Sequence, residues 1–391
     1  MPRSSTIRFN LLLLILLAIV MSYGSCNWRG LFERAESLVE KLVKPKTARE
    51  KYLSRLEKEG AVAGAVLEKW EQSFTNADTQ QLVVTLPHRE IFALDGPVAT
   101  SAQAIRFTLP GGRILRVTGE VDSGKVFGEL YRVMDDGRRS NSPVRSWEEG
   151  KLSFDYEPAG RSERMIFLLQ SAPGTRVDAQ IALTTKAALL FPVAGKDQRA
   201  IKSFWGDSRA GGKRAHKGND IFAPKGTPLL AVADGRIRKV ANGGLGGKTI
   251  WLYDRKRNQS YYYAHLDSQY VRRAQNVRRG DTLGTVGNTG NARTTPPHLH
   301  FGVYAGGAYD PNPLLRNDDP APPQPKYRLN TGQATLAVPK RGNHYLRQQP
   351  DRKGTVLRQL ENEEPVTGIS VTGRFYRVLT ERGEYGYVNF D

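Results

Sequence analysis

The sequence predicts a mainly β, multidomain protein with a helical stretch on its N-terminal side. Three observations lead there. Apolar residues recur at three- and four-residue spacing only before about residue 75, and from about residue 79 the period becomes two. Glycine and proline, 39 and 22 of 391 residues, punctuate the chain into short runs. The length allows two or three domains.

The first segment, 1–26, reads as a signal. Arg3 and Arg8 precede an apolar run from Leu11 to Met21. That run is about half the ~20 residues needed to span a bilayer, so it is the core of a secretory signal rather than a membrane span. Cys26 is the only cysteine, which excludes an intrachain disulfide. Gly24 and Ser25 before it resemble a bacterial lipoprotein signal, which implies a lipid anchor on Cys26, although Tyr23 stands where that pattern has an aliphatic residue. Ordinary cleavage, with Cys26 left as a thiol, is the alternative.

Segment 27–75 is helical. Leu31, Ala35, Leu38, Val39 and Leu42 share one face, Pro45 breaks the pattern, and Thr47 with Glu50 forms a capping box that opens a second helix. A helical hairpin without chemistry of its own follows from this. In 76–186, the stretches Ile105–Leu109, Ile114–Val117, Leu152–Tyr156 and Val177–Leu183 largely alternate apolar with polar residues. Turns such as Pro110-Gly111-Gly112 separate them, and the pattern predicts an antiparallel β-sandwich, either a spacer or a sugar-binding module. His88 is solitary there and needs only a structural role. A segment at 187–315 holds the chemistry. Then come a proline-rich spacer at 316–326 and a final module at 327–391 with short strands and glycine turns, in which His344 is structural.

The chain carries 58 Lys+Arg against 39 Asp+Glu, a net of +19. Such a surface favours polyanions: nucleic acid, anionic lipid or an acidic wall polymer. No nucleic-acid-binding motif is present, so nucleic acid is not an expected partner. Arg272, Arg273, Arg278 and Arg279 either attract acidic wall strands or form a solvated basic loop.

Four of the six histidines lie between His216 and His300. His216 precedes Asp220 by four residues, but Gly218 and Pro224 favour a turn leading into a strand over a helix. His265 ends the aromatic run Tyr261-Tyr-Tyr-Ala. His298 and His300 flank Leu299, and on a strand positions i and i+2 share a face, which sends Leu299 to the core. No glutamate follows closely enough for a cupin-like site, and the neighbouring Asp-His of a phosphodiesterase-like site is missing. Two imidazoles and one carboxylate are a known catalytic zinc set with a fourth position open. Two histidines then remain for proton transfer and oxyanion stabilisation. Asn242 to Thr249 comes close to a P-loop, yet Asn242 replaces its first glycine and a strand follows, so the stretch is a hairpin or groove-edge loop.

The stretches "HKGNDIFAPKGTPLLAVADGRI", "YYYAHL" and "RRGDTLGTVGNTGNARTTPPHLHFGVY" resemble the lysostaphin-type (M23, LytM) zinc metallopeptidases over about a third of the chain. The resemblance implies a largely antiparallel β fold with a groove over one Zn²⁺ held by His216, Asp220 and His300. It implies that His265 and His298 face the attacking water, polarise it and stabilise the oxyanion. The usual activity is hydrolysis of peptide bonds in peptidoglycan stems or cross-links. "LRQQPDRKGTVLRQL", "FYRVLT" and "GEYGYVNF" resemble a bacterial SH3-like domain, a small barrel often attached to wall hydrolases. The expected function is therefore an exported zinc endopeptidase with peptidoglycan as partner, in the cell envelope and anchored to the membrane through Cys26. Some proteins of this type lack zinc ligands and only regulate other wall hydrolases, so a silent regulator or a wall-binding adaptor is the alternative.

Overall fold

The computed structural model describes residues 45–391 apart from 61, 96–100, 149, 159–161, 210 and 330–334. The signal, Cys26 and the first expected helix lie outside the described residues. Among those residues, no helix is long and apolar enough to cross a membrane. The chain divides into two compact units, Met1–Val62 and Ala63–Asp391. In the first, α1 (Ala48–Glu59) begins at the expected capping box: Glu50 N–H donates to Thr47 Oγ1 at 3.2 Å and Thr47 N–H to Glu50 Oε2 at 2.8 Å. Gly60, with φ +62°, closes it by donating to the Leu56 carbonyl.

The second unit opens with α2 (Gly64–Thr79) and an eight-stranded sandwich. Its strands are β1 (His88–Asp95), β2 (Ala102–Leu109), β3 (Arg113–Val121), β4 (Val126–Arg132), β5 (Arg145–Ser146), β6 (Ser153–Tyr156), β7 (Glu163–Ser171) and β8 (Arg176–Ala187). One sheet runs β2-β7-β4-β5, and the facing strands run β1-β8-β3-β6. Phe107, Phe167, Leu115 and Ile181 fill the space between them. The outer face of β2 and β7 is covered by α2, whose Phe74 and Ala77 pack on Ile166 and Leu168. Trp70 Nε1–H donates to the Ser171 carbonyl at 2.7 Å.

The histidine-bearing module comprises β9 (Ile201–Ser203), β10 (Ser208–Arg209), β11 (Arg214–Ala215), β12 (Asn219–Phe222), β13 (Pro228–Leu230), β14 (Gly235–Ala241) and β15 (Lys248–Asp254). It continues with β16 (Gln259–Leu266), β17 (Ser268–Gln269), β18 (Asn276–Val277), β19 (Thr282–Thr285), β20 (His298–Tyr304), β21 (Ala308–Tyr309) and the short helix α3 (Asn312–Leu315). The main sheet is antiparallel, in the order β18-β14-β15-β16-β20-β12-β9 with β21 beside β20, and β13-β19-β17 forms a smaller sheet. One face of the main sheet buries Leu252, Tyr261, Leu299 and Phe301. Its other face bears the histidines.

The last strands are β22 (Thr335–Ala337), β23 (Tyr345–Arg347), β24 (Val356–Gln359), β25 (Pro365–Thr372), β26 (Phe375–Thr380) and β27 (Tyr385–Val388). The spacer before them does not set them apart. β25 pairs with β1, Ile91 opposite Val371 and Phe92 opposite Ser370, so the C-terminal strands continue the sandwich sheet. The spacer is pinned as well: Asp319 accepts from Thr185 N–H at 2.9 Å and Asp318 from Ala187 N–H at 2.9 Å. At the junction, His88 bonds the buried Glu90, so its role there is structural.

Candidate metal centre

Strand register builds the site. Asp220 on β12 lies opposite His300 on β20, and Ala264 on β16 flanks His300 from the other side. One rung therefore carries carboxylate, imidazole and a methyl small enough to leave the imidazole room. His216 enters from the loop before β12, and its Nδ1 lies 2.9 Å from the Phe204 carbonyl. A carbonyl only accepts, so with its proton on Nδ1 the ring presents the Nε2 lone pair, while Arg209 Nη2 lies 3.1 Å from the same Nδ1.

Three ligand atoms converge. His216 Nε2 is 2.9 Å from His300 Nδ1 and 3.0 Å from Asp220 Oδ1, and His300 Nδ1 is 3.0 Å from the same oxygen. Tetrahedral zinc with ligands at about 2.0–2.1 Å needs donor separations of about 3.3 Å. Only a few tenths of an ångström separate the observed triangle from that face, and its donor set is the nitrogen and oxygen chemistry zinc takes. The residues fit the ion. Burial works against an ionised Asp220, yet the His216 and His300 imidazoles against it outweigh that and hold the carboxyl far below its usual range. Burial, in turn, pushes the His300 imidazole down, towards the neutral form a metal requires.

The other two imidazoles stand beside this triangle. The His298 ring centroid is 5.1 Å from that of His265, and the His265 centroid is 6.0 Å from that of His300. His298 Nδ1–H donates to the Pro296 carbonyl and His265 Nδ1–H to the Thr289 carbonyl, both at 2.9 Å. Each ring therefore keeps a bare Nε2. Burial lowers His265 to about 4, aided by the neighbouring His298. Strict alternation after Ala264 would send His265 to the core. A left-handed backbone, φ +66°, breaks the alternation and brings its ring to the histidine face.

The glycine-rich stretch at 242–247 is the β14–β15 hairpin loop, as expected, and it holds His265. The Gly246 carbonyl accepts from His265 N–H at 2.8 Å, and Lys248 N–H donates to Thr289 Oγ1 at 2.9 Å. All four sequence-marked histidines and Asp220 thus meet in one place.

Two features carry no sequence signal of their own. Arg209, on β10, donates from Nη2 to Asp220 Oδ2 at 2.9 Å, leaving Oδ1 directed at the imidazoles. Beyond His300, half-buried aromatic rings floor the same face: Tyr262 lies 5.9 Å from His300 and 4.5 Å from Trp251, which lies 5.0 Å from Tyr304. Only Tyr262 of the aromatic run points this way, since Tyr261 and Tyr263 are core.

Residues 214–311 match Peptidase family M23, and residues 342–389 match a bacterial SH3 domain. The chain carries an M23 peptidase domain and a bacterial SH3 domain. Among curated proteins it is similar to the L-Ala--D-Glu endopeptidase of Bacillus subtilis, 34% identical over 139 residues, or 32% of this chain and 42% of that protein. It is also similar to the murein hydrolase activator NlpD of Salmonella dublin, 36% identical over 184 residues, or 44% of this chain and 45% of that protein. The chain spans less than half the length of these two relatives. Among solved structures, the catalytic domain of lysostaphin from Staphylococcus simulans is 32% identical, with 30% of this chain and 93% of that chain covered and a TM-score of 0.27.

Proposed function

We propose that the protein is an exported zinc endopeptidase that hydrolyses peptide bonds in peptidoglycan. The observation that carries this reading is the triangle of His216 Nε2, Asp220 Oδ1 and His300 Nδ1 with two further imidazoles beside it. His216, Asp220 and His300 hold the ion. When bound, zinc supplies Lewis acidity toward a peptide carbonyl and lowers the pKa of water toward ~7. The bare Nε2 atoms of His265 and His298 take up the proton released by the attacking water. Once protonated, either ring donates a hydrogen bond to the developing oxyanion. The Pro296 and Thr289 carbonyls hold both rings in the tautomer this requires. Tyr262, Trp251 and Tyr304 give the substrate chain a surface to lie on.

The likeness to an endopeptidase supports a peptidase, and the likeness to a murein hydrolase activator supports a regulator. The complete ligand set favours the first. Peptidoglycan as substrate places the protein in the cell envelope, with Cys26 as the point of lipid attachment. The test is incubation of purified protein with purified peptidoglycan, with metal content measured by elemental analysis and released muropeptides by mass spectrometry. Zinc near one per chain and chelator-sensitive release of muropeptides support the enzyme. A metal-free protein that co-sediments with the wall and releases nothing would turn the reading to the adaptor.

A further inference from the structure

A large cleft lies away from the histidines. It measures about 1330 Å³ and lies between the sandwich, at Ile114, Lys186 and Ala187, and the far edge of the peptidase module, at β14 and the β15–β16 turn. β16 begins at that turn and reaches His265 six residues after Gln259, which at about 3.3 Å per residue puts the cleft on the order of 20 Å from the metal centre.

Six arginines line it, and apart from Arg257 these are Arg236, Arg238, Arg255, Arg273 and Arg279. All five are exposed, and none has a carboxylate partner among the described residues. The acidic groups of the cleft bond other partners than these five guanidinium groups, Asp234 only the backbone of Arg279. Asp254 accepts from Arg257 and from the Tyr261 hydroxyl, Asp318 from Ala187 N–H, and Asp234 from Arg279 N–H. A second set of cations, by contrast, serves the domain contact: Arg257 donates to Glu157 and to the Ala188 carbonyl, and Lys256 to Glu157. Salt bridges rivet the two modules while the arginines between them stay unpaired. Two of these are also held in place. The Arg238 guanidinium lies 3.5 Å over the Tyr253 ring, and Arg236 Nε–H donates to the Ala274 carbonyl at 3.1 Å. Stacking uses the guanidinium face and leaves its N–H edge free for an anion.

We propose that this cleft is a second, non-catalytic binding site for a carboxylate-bearing peptidoglycan strand, held while the metal centre works on a neighbouring part of the same polymer. The identity of the polymer rests on the function proposed above; the anion chemistry does not. Planar guanidinium forks match carboxylates in pairs. The volume exceeds the roughly 300–1,000 Å³ of small-molecule pockets and suits a length of polymer. Concavity argues against a bilayer, whose flat surface cannot enter a gap between two modules. The lining also lacks the row of free aromatic faces on which nucleic-acid bases would stack.

The test is co-sedimentation of the full chain with purified sacculi in chelator at low salt, comparing the wild type with Arg236→Glu/Arg238→Glu/Arg273→Glu. Exposed pairs are individually weak, so removing three is expected to raise the apparent Kd about tenfold. Added salt should weaken the wild type and hardly move the variant. Sacculi whose carboxyls have been amidated should bind the wild type as weakly as native sacculi bind the variant, an arm that depends on no mutant fold. Unchanged binding in the variant or to amidated sacculi overturns the proposal, as does wild-type binding to phosphatidylglycerol vesicles and not to sacculi. Zinc content and muropeptide release by the variant on soluble fragments should equal the wild type. Failure of the wild type to release muropeptides, with charge-dependent binding intact, would overturn the peptidase and leave the cleft.

Discussion

Gly218 lies against His300 so closely that a Cβ on it would fall 2.8 Å from the imidazole Cε1 and 2.5 Å from the Phe301 carbonyl oxygen. The glycine between His216 and Asp220 is therefore a spatial requirement of the third ligand. Gly218→Ala must move either a strand backbone or His300 itself. Overpacking of this kind costs about 1–3 kcal/mol. The expected outcome is a chain that still folds but binds zinc less tightly, read by chelator competition. Zinc affinity equal to the wild type would show that the ring has room after all.

The two histidines of β20 should separate by assay. His300→Ala removes a ligand and is expected to lose zinc and peptidoglycan hydrolysis together. His298→Ala leaves the triangle intact, so zinc content stays while turnover falls by about 100- to 10,000-fold, the range for losing a general acid–base group. His265→Asn should behave like His298→Ala, and asparagine tolerates the left-handed backbone at that position. Elemental analysis beside a muropeptide assay decides the matter; matching zinc loss in all three variants contradicts the assignment.

Arg209 reaches the site through Asp220 and lies against the Nδ1 side of His216. Partners of a ligand typically change metal affinity about 10- to 100-fold when removed, and Arg209→Gln is expected to fall in that range. His216, His265 and His300 stay in place, so residual hydrolysis should be restored by excess zinc. Zinc affinity unaltered by the substitution would reduce Arg209 to a bystander.

The sequence made the histidine cluster readable because imidazole is scarce in this chain and strand alternation fixes which neighbours share a face. His298, His300 and Leu299 follow from that rule alone. Arg209 does not, because its approach to Asp220 depends on the packing of a two-residue strand that no periodicity marks. β7 escaped alternation for a related reason: Met165 and Phe167 face the sandwich core while Ile166 and Leu168 face α2, so both sides are apolar. The pairing of β1 with β25 was equally invisible. A proline-rich spacer reads as a separator, and nothing local tells that the chain returns to the same sheet edge.

Trp251, Tyr262 and Tyr304 tie the groove floor to substrate binding. Trp251→Ala leaves the metal ligands untouched and removes the ring that contacts both tyrosines. An aromatic contact of this kind is worth about 0.5–1.5 kcal/mol, so KM for a soluble muropeptide is expected to rise up to about tenfold, with kcat nearly constant. A fall in kcat at constant KM would place the ring in the chemistry instead.

The shared sheet makes the SH3 domain and the sandwich one folding unit, and Glu90 with Arg377 is where that can be tested. Both are fully buried, with the Arg377 Nη1 and Glu90 Oε1 atoms 3.7 Å apart. Arg377 also donates to the Ala104 carbonyl and to Gln80, while Glu90 accepts from Ser370 and Tyr387 and pairs with His88. Burial alone would raise the Glu90 carboxyl; His88, Arg377 and Ser370 outweigh it and hold it below the usual glutamate range. Because its folded pKa is depressed, its contribution is complete above the unfolded value of about 4.3 and is lost as pH falls through the folded value. Removing one partner strands the other charge, so Arg377→Met is expected to cost about 3–5 kcal/mol. Thermal unfolding of the wild type should show the SH3 domain and the sandwich melting in one transition, with its midpoint falling in acid. In Glu90→Gln the acid-dependent part should shrink. Two separate transitions in the wild type would mean that the β1–β25 pairing does not couple them.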